Sequence, residues 1–187
     1  KSRKSAALPG AKIYPPTLTN SDLANIKIAK EMGVTGVMQP FVRDHSDLEC
    51  VKEALREAGA EDIRLFAKIE NMDGVRKLEK LLPAADEIVI ARGDLGNAVH
   101  LWDLPGVQRQ ISEKCRAAGK PFMVVTQMLA SMERSPVPTR AEVNDIFHAV
   151  MDGAASIMVT GETAVGDYPV EVIRYMVNTV RSAEKEE

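Results

Sequence analysis

Short apolar runs alternate along the chain with segments in which apolar residues recur every three or four positions. The runs predict strands near residues 11–14, 34–39, 63–69, 87–91, 121–126 and 155–160. The segments between them have the spacing of amphipathic helices. Because strands and helices alternate in units of about 23 to 35 residues, the pattern predicts an α/β fold in which helices cover parallel strands.

Helix boundaries can be predicted from a few polar and glycine positions. Ser46 is followed three residues later by Glu49, which is the pattern of a capping box, and predicts a helix over residues 47–58. A similar helix is expected to open at Ser21-Asp22. Gly119 is expected to end the helix that precedes the strand at 121–126.

The distribution of polar residues favours a barrel over an open doubly wound sheet. No Gly-x-Gly-x-x-Gly pattern follows the first strand, whereas polar residues stand at the carboxyl end of several predicted strands. Catalytic groups spread around one rim are typical of (β/α)₈ barrels, which need about 250 residues. Six βα units predict an incomplete TIM-type barrel, with residues 1–187 forming a single partial domain.

The strand at 63–69 ends in a cation and a carboxylate. Strand alternation places Lys68 and Glu70 on one face, opposite Ala67 and Ile69. The two groups could serve a ligand, or they could simply pair with each other at the mouth of a sheet.

A second carboxylate follows the next strand, in the segment Arg92-Gly93-Asp94. Two carboxylates on neighbouring strand ends suit a hard divalent cation such as Mg²⁺, which takes oxygen ligands and keeps positions for water and substrate. Asp94 could instead be an ordinary turn aspartate. Thr126 and Glu162 end the two strands that follow, which favours a common site at the carboxyl ends of the strands.

Composition excludes several classes of protein. The 187 residues are 45% hydrophobic and 27% charged, with a net charge of −3 and 4% aromatic residues, so a nucleic-acid partner is not expected. No apolar stretch reaches the roughly 20 residues of a membrane span, and no signal-peptide core follows the basic start. Cys50 and Cys115 lack metal-ligand spacing, which indicates reduced thiols and a cytoplasmic protein. The first residue is Lys1, so an upstream segment is expected to have been removed or left out.

Six motifs follow one another along the chain: Lys68-Ile69-Glu70-Asn71, Ala91-Arg92-Gly93-Asp94-Leu95-Gly96, Ala118-Gly119-Lys120-Pro121, Thr126-Gln127-Met128-Leu129, Pro138-Thr139-Arg140-Ala141-Glu142 and Gly161-Glu162-Thr163-Ala164. In order and spacing they resemble the motifs of the pyruvate kinase family. The resemblance covers essentially the whole chain. It corresponds to the last six βα units of the family's catalytic barrel.

The resemblance implies an enzyme that transfers a phosphoryl group from phosphoenolpyruvate to ADP and protonates the enolate to pyruvate. In this family the residues similar to Glu70 and Asp94 hold Mg²⁺ or Mn²⁺. Lys68 is similar to the lysine that neutralises charge on the phosphoryl group and the enolate oxygen. A homo-oligomer, or a barrel completed by a missing N-terminal segment, is expected.

The same resemblance implies roles at the other strand ends. The backbone of Ala91, Arg92 and Gly93 is similar to a segment that positions the substrate carboxylate. Thr126 is similar to a threonine beside the substrate methylene, where it would orient a proton-relay water, although a strand-end threonine bonded to backbone is the rival interpretation. Thr160 and Glu162 could support that proton route.

The chain also departs from the family's pattern. Pro40 and Thr160 stand where the family usually has serine, and Val165 stands where it usually has lysine. The first two barrel strands have no counterpart here, and they carry the ligands of the K⁺ expected from the family. The lid domain and the C-terminal regulatory domain also have none.

Two further hypotheses therefore stay open beside phosphoryl transfer. One is Mg-dependent enolisation of a 2-oxo acid, or decarboxylation of oxaloacetate, which needs no ADP site. The other is a non-catalytic remnant that binds a metabolite or a partner subunit through its open strand edges.

Overall fold

A computed structural model describes residues 15–186 of the chain. Its centre is a parallel sheet of five strands in the order β1-β2-β3-β4-β5. The strands are β1 Gly36–Gln39, β2 Arg64–Ile69, β3 Glu87–Ala91, β4 Phe122–Val125 and β5 Ser156–Met158. All five were predicted within a few residues, whereas the strand expected at 11–14 lies outside the described residues.

Helices follow every strand, which confirms the predicted βα alternation. The α-helices are α1 Asn20–Ala29, α2 His45–Glu57, α3 Met72–Arg76, α4 Leu78–Leu81, α5 Arg92–Ala98, α6 Leu104–Ala117, α7 Arg140–Met151, α8 Gly161–Ala164 and α9 Pro169–Ala183. Short 3₁₀ turns at Leu82–Ala84 and Ala130–Glu133 complete the connections.

Alternation along β2 divides the two faces of the sheet. Leu65, Ala67 and Ile69 are buried in the core beneath the helices, while Phe66 and Lys68 are only partly buried on the other face. A strand with one buried face positions its polar residues on the other, because side chains alternate at every residue. The core therefore determines the direction in which Lys68 points.

Two helices begin earlier than the sequence pattern predicts. Asp44, not Ser46, caps α2 by accepting a hydrogen bond from the Ser46 amide at 3.0 Å. Thr19 forms a capping box with Asp22 at the start of α1. A serine and an aspartate two residues apart can both cap a helix, so spacing alone misplaced the first turn of α2. Gly119 follows α6 with φ +61°, as expected of a helix-ending glycine.

The two cysteines occupy opposite environments. Cys50 is exposed on α2 and Cys115 is buried on α6, and neither forms a disulfide. Burial raises the pKa of the Cys115 thiol to about 12. Within residues 15–186, no helix is long and apolar enough to cross a membrane.

A partly buried ion pair joins the β1–α2 loop to α2. The Asp47 carboxylate accepts hydrogen bonds from the Arg43 guanidinium at 2.5 and 3.0 Å and from the Thr17 hydroxyl at 2.6 Å. Burial alone would raise the pKa of Asp47, but these hydrogen bonds prevail and lower it from 3.8 to about 2.

Asp47→Asn is expected to destabilise the fold by roughly 1–3 kcal/mol at pH 7, because buried donors lose a charged acceptor. The folded-state pKa lies below the unfolded value, so the contribution is complete above about pH 4 and is lost as the pH falls towards 2. Urea unfolding of parent and variant should therefore converge as the pH is lowered. Asp62→Asn, which removes the exposed Lys30–Asp62 pair, is the control and should change stability by less than about 1 kcal/mol. A constant difference between parent and Asp47→Asn from pH 7 to pH 2 would contradict this account.

Candidate active site at the carboxyl ends of the strands

The predicted site residues follow four adjacent strands at the same edge of the sheet. Lys68 and Glu70 end β2, residues 91–94 lead from β3 into α5, Thr126 follows β4, and Thr160 and Glu162 follow β5. Because all the strands are parallel, their carboxyl ends lie at one edge. The topology thus brings these segments to a common rim.

Lys68 and Glu70 form an ion pair at the end of β2. Lys68 Nζ lies 2.9 Å from Glu70 Oε1, and Glu70 is only 5% exposed. The other oxygen, Oε2, accepts the backbone N–H of Phe41 at 2.8 Å. The two side chains do pair with each other, but each carboxylate oxygen carries two lone pairs, so the pairing alone does not exclude a ligand.

The loop after β1 is fastened to the end of β2. The Val42 amide donates to the Lys68 carbonyl at 3.3 Å, and the Asn71 side chain donates to the Val42 carbonyl at 3.0 Å. Phe41 has φ +52°, an unusual conformation for a residue other than glycine. Pro40, one of the departures from the family's pattern, directly precedes it and restricts the backbone there. The loop thereby presents the Phe41 amide to Glu70.

Asp94 differs from Glu70 in its surroundings. It lies in the first turn of α5 and is exposed, and its carboxylate makes no hydrogen bond or ion pair with the residues that the structure describes. An unpaired surface carboxylate keeps all its lone pairs for a cation. Asp94 is therefore free to act as a ligand, while Glu70 is already oriented.

The Arg92 side chain turns towards the protein. Its guanidinium donates to the Thr126 carbonyl at 2.7 and 3.3 Å and to both carboxylate oxygens of Asp145 at 2.7 and 2.8 Å. The family resemblance implies a role only for the backbone of Arg92, and nothing in the sequence pattern indicates Asp145. Asp145 lies on α7, where the sequence pattern marks only a polar helix position.

Thr126 stands at a sharp turn after β4. Its φ is +84°, and that of Gln127 is +56°. A Cβ added to Gly93 would lie 3.1 Å from Thr126 Cγ2, so the threonine side chain packs against the start of α5. Between residues 15 and 186, no protein atom hydrogen-bonds the Thr126 hydroxyl. The rival interpretation of a backbone-bonded threonine therefore lacks its hydrogen bond.

Glu162 links the loops after β4 and β5. Its buried carboxylate accepts the Leu129 amide at 3.3 Å and the Thr160 amide at 2.7 Å, with the Thr160 hydroxyl at 3.4 Å. These contacts are sufficient for a structural role. A part for Thr160 and Glu162 in proton transfer stays a prediction.

The available donors suit a hard divalent cation in kind. Glu70 and Asp94 offer carboxylate oxygens, and the described residues contain no group of three or more His, Cys, Asp or Glu that could hold a metal alone. A site with few protein ligands is typical of Mg²⁺, which keeps water and substrate in its coordination shell. The donor chemistry therefore fits Mg²⁺ bound together with a substrate.

Comparison with known proteins identifies the family of the chain. The family model described as pyruvate kinase, barrel domain, matches residues 1–173. The chain belongs to the pyruvate kinase family. Its parallel strands and alternating helices are part of that family's barrel domain.

Relatives from distant organisms match nearly the whole chain. It is 41% identical over 185 residues to a pyruvate kinase of Bacillus licheniformis, covering 99% of this chain and 32% of the relative. It is 42% identical over 181 residues to that of Dictyostelium discoideum, covering 97% and 36%. The chain thus spans about a third of the length of these curated relatives.

Gly74 in α3 packs against the loop after β1, which binds Glu70 through the Phe41 amide. A Cβ at Gly74 would lie 2.7 Å from the Val42 carbonyl oxygen, a backbone atom that cannot turn aside. Gly74→Ala is expected to destabilise the fold by roughly 1–3 kcal/mol in urea denaturation.

Gly106 is a matched control, because it is likewise the third residue of a helix and a Cβ there meets open space. Gly106→Ala should stabilise by about 0.4–1 kcal/mol. Two variants of equal stability would show that the loop does not press on Gly74.

Proposed function

We propose that this chain supplies the enolate-stabilising part of a pyruvate kinase active site, which transfers a phosphoryl group from phosphoenolpyruvate to ADP. The observation that carries the proposal is the buried Glu70 carboxylate, which Lys68 and the Phe41 amide orient at the end of β2. The unpaired Asp94 follows β3, the strand paired with β2. Family membership supports it. The specific chemistry is the part proposed.

In the proposed reaction the bond between phosphorus and the enol oxygen of phosphoenolpyruvate breaks. A new bond forms between that phosphorus and a terminal oxygen of ADP, and the enolate carbon then takes a proton to give pyruvate. Negative charge is present on the transferring group and grows on the enol oxygen. Positive charge in a preorganised site stabilises such a transition state, often as the largest single contribution.

Lys68 is the cation that we assign to this charge. Its ammonium group is partly buried and held by Glu70 at 2.9 Å, so its position is defined before substrate arrives. Glu70 and Asp94 would hold Mg²⁺ or Mn²⁺, and the bound metal would supply Lewis-acid stabilisation of the substrate oxygens. In this proposal Glu70 both binds the metal and positions Lys68.

The neighbouring strand ends would hold the rest of the substrate. The backbone of Ala91, Arg92 and Gly93 is proposed to bind the carboxylate, and the Arg92 side chain is already engaged with Thr126 and Asp145. The Thr126 hydroxyl, which has no protein partner among the described residues, would orient the water that delivers the proton.

Enolisation or decarboxylation of a 2-oxo acid is a second candidate function. Every residue that such chemistry needs, namely Lys68, Glu70, Asp94 and Thr126, lies within the described residues, and no nucleotide is involved. This reaction can therefore be tested directly on this chain. A metabolite-binding remnant is the alternative if no turnover is found.

Exchange of the pyruvate methyl protons with D₂O, followed by NMR in the presence of Mg²⁺, tests the proposed enolate site. We expect exchange in the parent chain and a loss on the order of 100-fold or more in Lys68→Met and Asp94→Ala, which lose the cation and a metal ligand. Asp103→Ala, an exposed aspartate before α6, should match the parent. Absence of exchange in the parent chain would refute the enolisation function.

Manganese binding separates metal ligation from catalysis. We expect Asp94→Asn to weaken Mn²⁺ binding in the presence of pyruvate by about tenfold or more, measured by the EPR signal of free Mn²⁺, because a charged ligand is replaced by a neutral one. Asp94 is the cleaner position, since Glu70 also serves Lys68. Asp103→Asn is the control, and equal Mn²⁺ affinity in the two variants would exclude Asp94 as a ligand.

A further inference from the structure

The backbone after β4 adopts a conformation that its residue types disfavour. Thr126 and Gln127 follow one another at φ +84° and +56°, in the left-handed region that favours glycine. A β-branched residue there is a genuine outlier. Such a turn persists only where surrounding contacts over-determine it.

Arg92 provides those contacts from the neighbouring strand end. Its Nη2 and Nε groups both donate to the Thr126 carbonyl, at 2.7 and 3.3 Å. The next residue, Gly93, lies against the Thr126 methyl group. Thr126 is therefore held on its carbonyl side by one residue of α5 and on its side-chain side by the next.

Asp145 determines where the guanidinium can lie. Both of its carboxylate oxygens accept from Arg92 Nη1, at 2.7 and 2.8 Å, across from α7. The guanidinium also donates to Met128 Sδ at 2.8 Å, but a thioether is a weak acceptor. The charge-assisted contact with Asp145 is the stronger constraint on the plane of the guanidinium.

The ion pair borders solvent. The Arg92 side chain is 13% exposed and that of Asp145 is 34% exposed, and both line an open polar groove together with Gln127 and His148. Replacing the Asp145 carboxylate by an amide of the same shape opens no cavity in the core. The substitution therefore removes the negative charge and keeps the volume of the side chain.

We propose that Asp145 is a positioning residue which, through Arg92, holds the Thr126 turn so that the threonine hydroxyl faces the substrate segment at residues 91–94. This inference rests on the proposed function, because it takes Thr126 to act beside the substrate methyl carbon. Asp145 touches neither metal nor substrate in this scheme. Its loss should change proton transfer and leave metal binding intact.

The test compares Asp145→Asn with Asp145→Glu and with Asp167→Asn, which removes the surface pair between Arg134 and Asp167. Three quantities are measured on the whole chain: pyruvate methyl exchange in D₂O, Mn²⁺ affinity by EPR, and the amide resonances of Thr126 and Gln127. We expect Asp145→Asn to slow exchange at least tenfold, to leave Mn²⁺ affinity within twofold of the parent, and to shift both resonances.

Asp145→Glu should recover part of the exchange, because it restores a carboxylate, and Asp167→Asn should behave as the parent. Unshifted Thr126 and Gln127 resonances in Asp145→Asn would overturn the proposal, since Arg92 would then hold the turn alone. Shifted resonances with unchanged exchange would overturn it equally. If the parent chain shows no exchange, the proposed function fails, and unshifted resonances would still refute the positioning role independently.

Discussion

Parallel pairing of consecutive strands is the constraint on which the candidate site depends. Ile69 of β2 pairs with Ile90 of β3, and Ala91 pairs with Val125 of β4. Each strand therefore ends at nearly the same level as its neighbour, and the two or three residues that follow it reach a common rim. Residues far apart in sequence become neighbours there without any long loop to position them.

Backbone groups of the rim loops hold charged side chains in place, in addition to the ion pairs. The Phe41 N–H binds Glu70, the Leu129 N–H binds Glu162, and the Thr126 carbonyl binds Arg92. Loop conformation and side-chain orientation are therefore coupled, since a change in either costs the same hydrogen bond. Positive φ values at Phe41 and Thr126 occur at two of these three contacts, which indicates that backbone strain is balanced by them.

The sequence predicts those parts of the fold that depend on local pattern. The five strands lie in mainly apolar runs, and the polar residues at their carboxyl ends identify the rim. The first turn of α2 was misplaced, because Asp44 and Ser46 are both good capping residues and only the backbone conformation chooses between them. The sequence also does not predict contacts between side chains that are far apart along the chain. Nothing near Arg92 in sequence indicates that its guanidinium turns to Thr126 and to a helix that begins nearly fifty residues later.

The same limit applies to side chains with two possible partners. Lys68 and Glu70 were predicted either to pair with each other or to serve a ligand, and in the structure they pair in a way that does not exclude a ligand. Alternation along a strand predicts that two residues share a face. It does not predict how their charges are divided between each other and a bound molecule, because that depends on the loop that contributes the Phe41 amide.

The unequal environments of the two cysteines give the chain a built-in chemical reporter. The exposed Cys50 is accessible to a thiol reagent, whereas Cys115 is buried and its raised pKa suppresses the reactive thiolate near neutral pH. Labelling of the folded protein is thus confined to α2. Modification of Cys115 requires α6 to leave its place in the core, so the rate at which a second label appears measures the release of α6 from the sheet it covers.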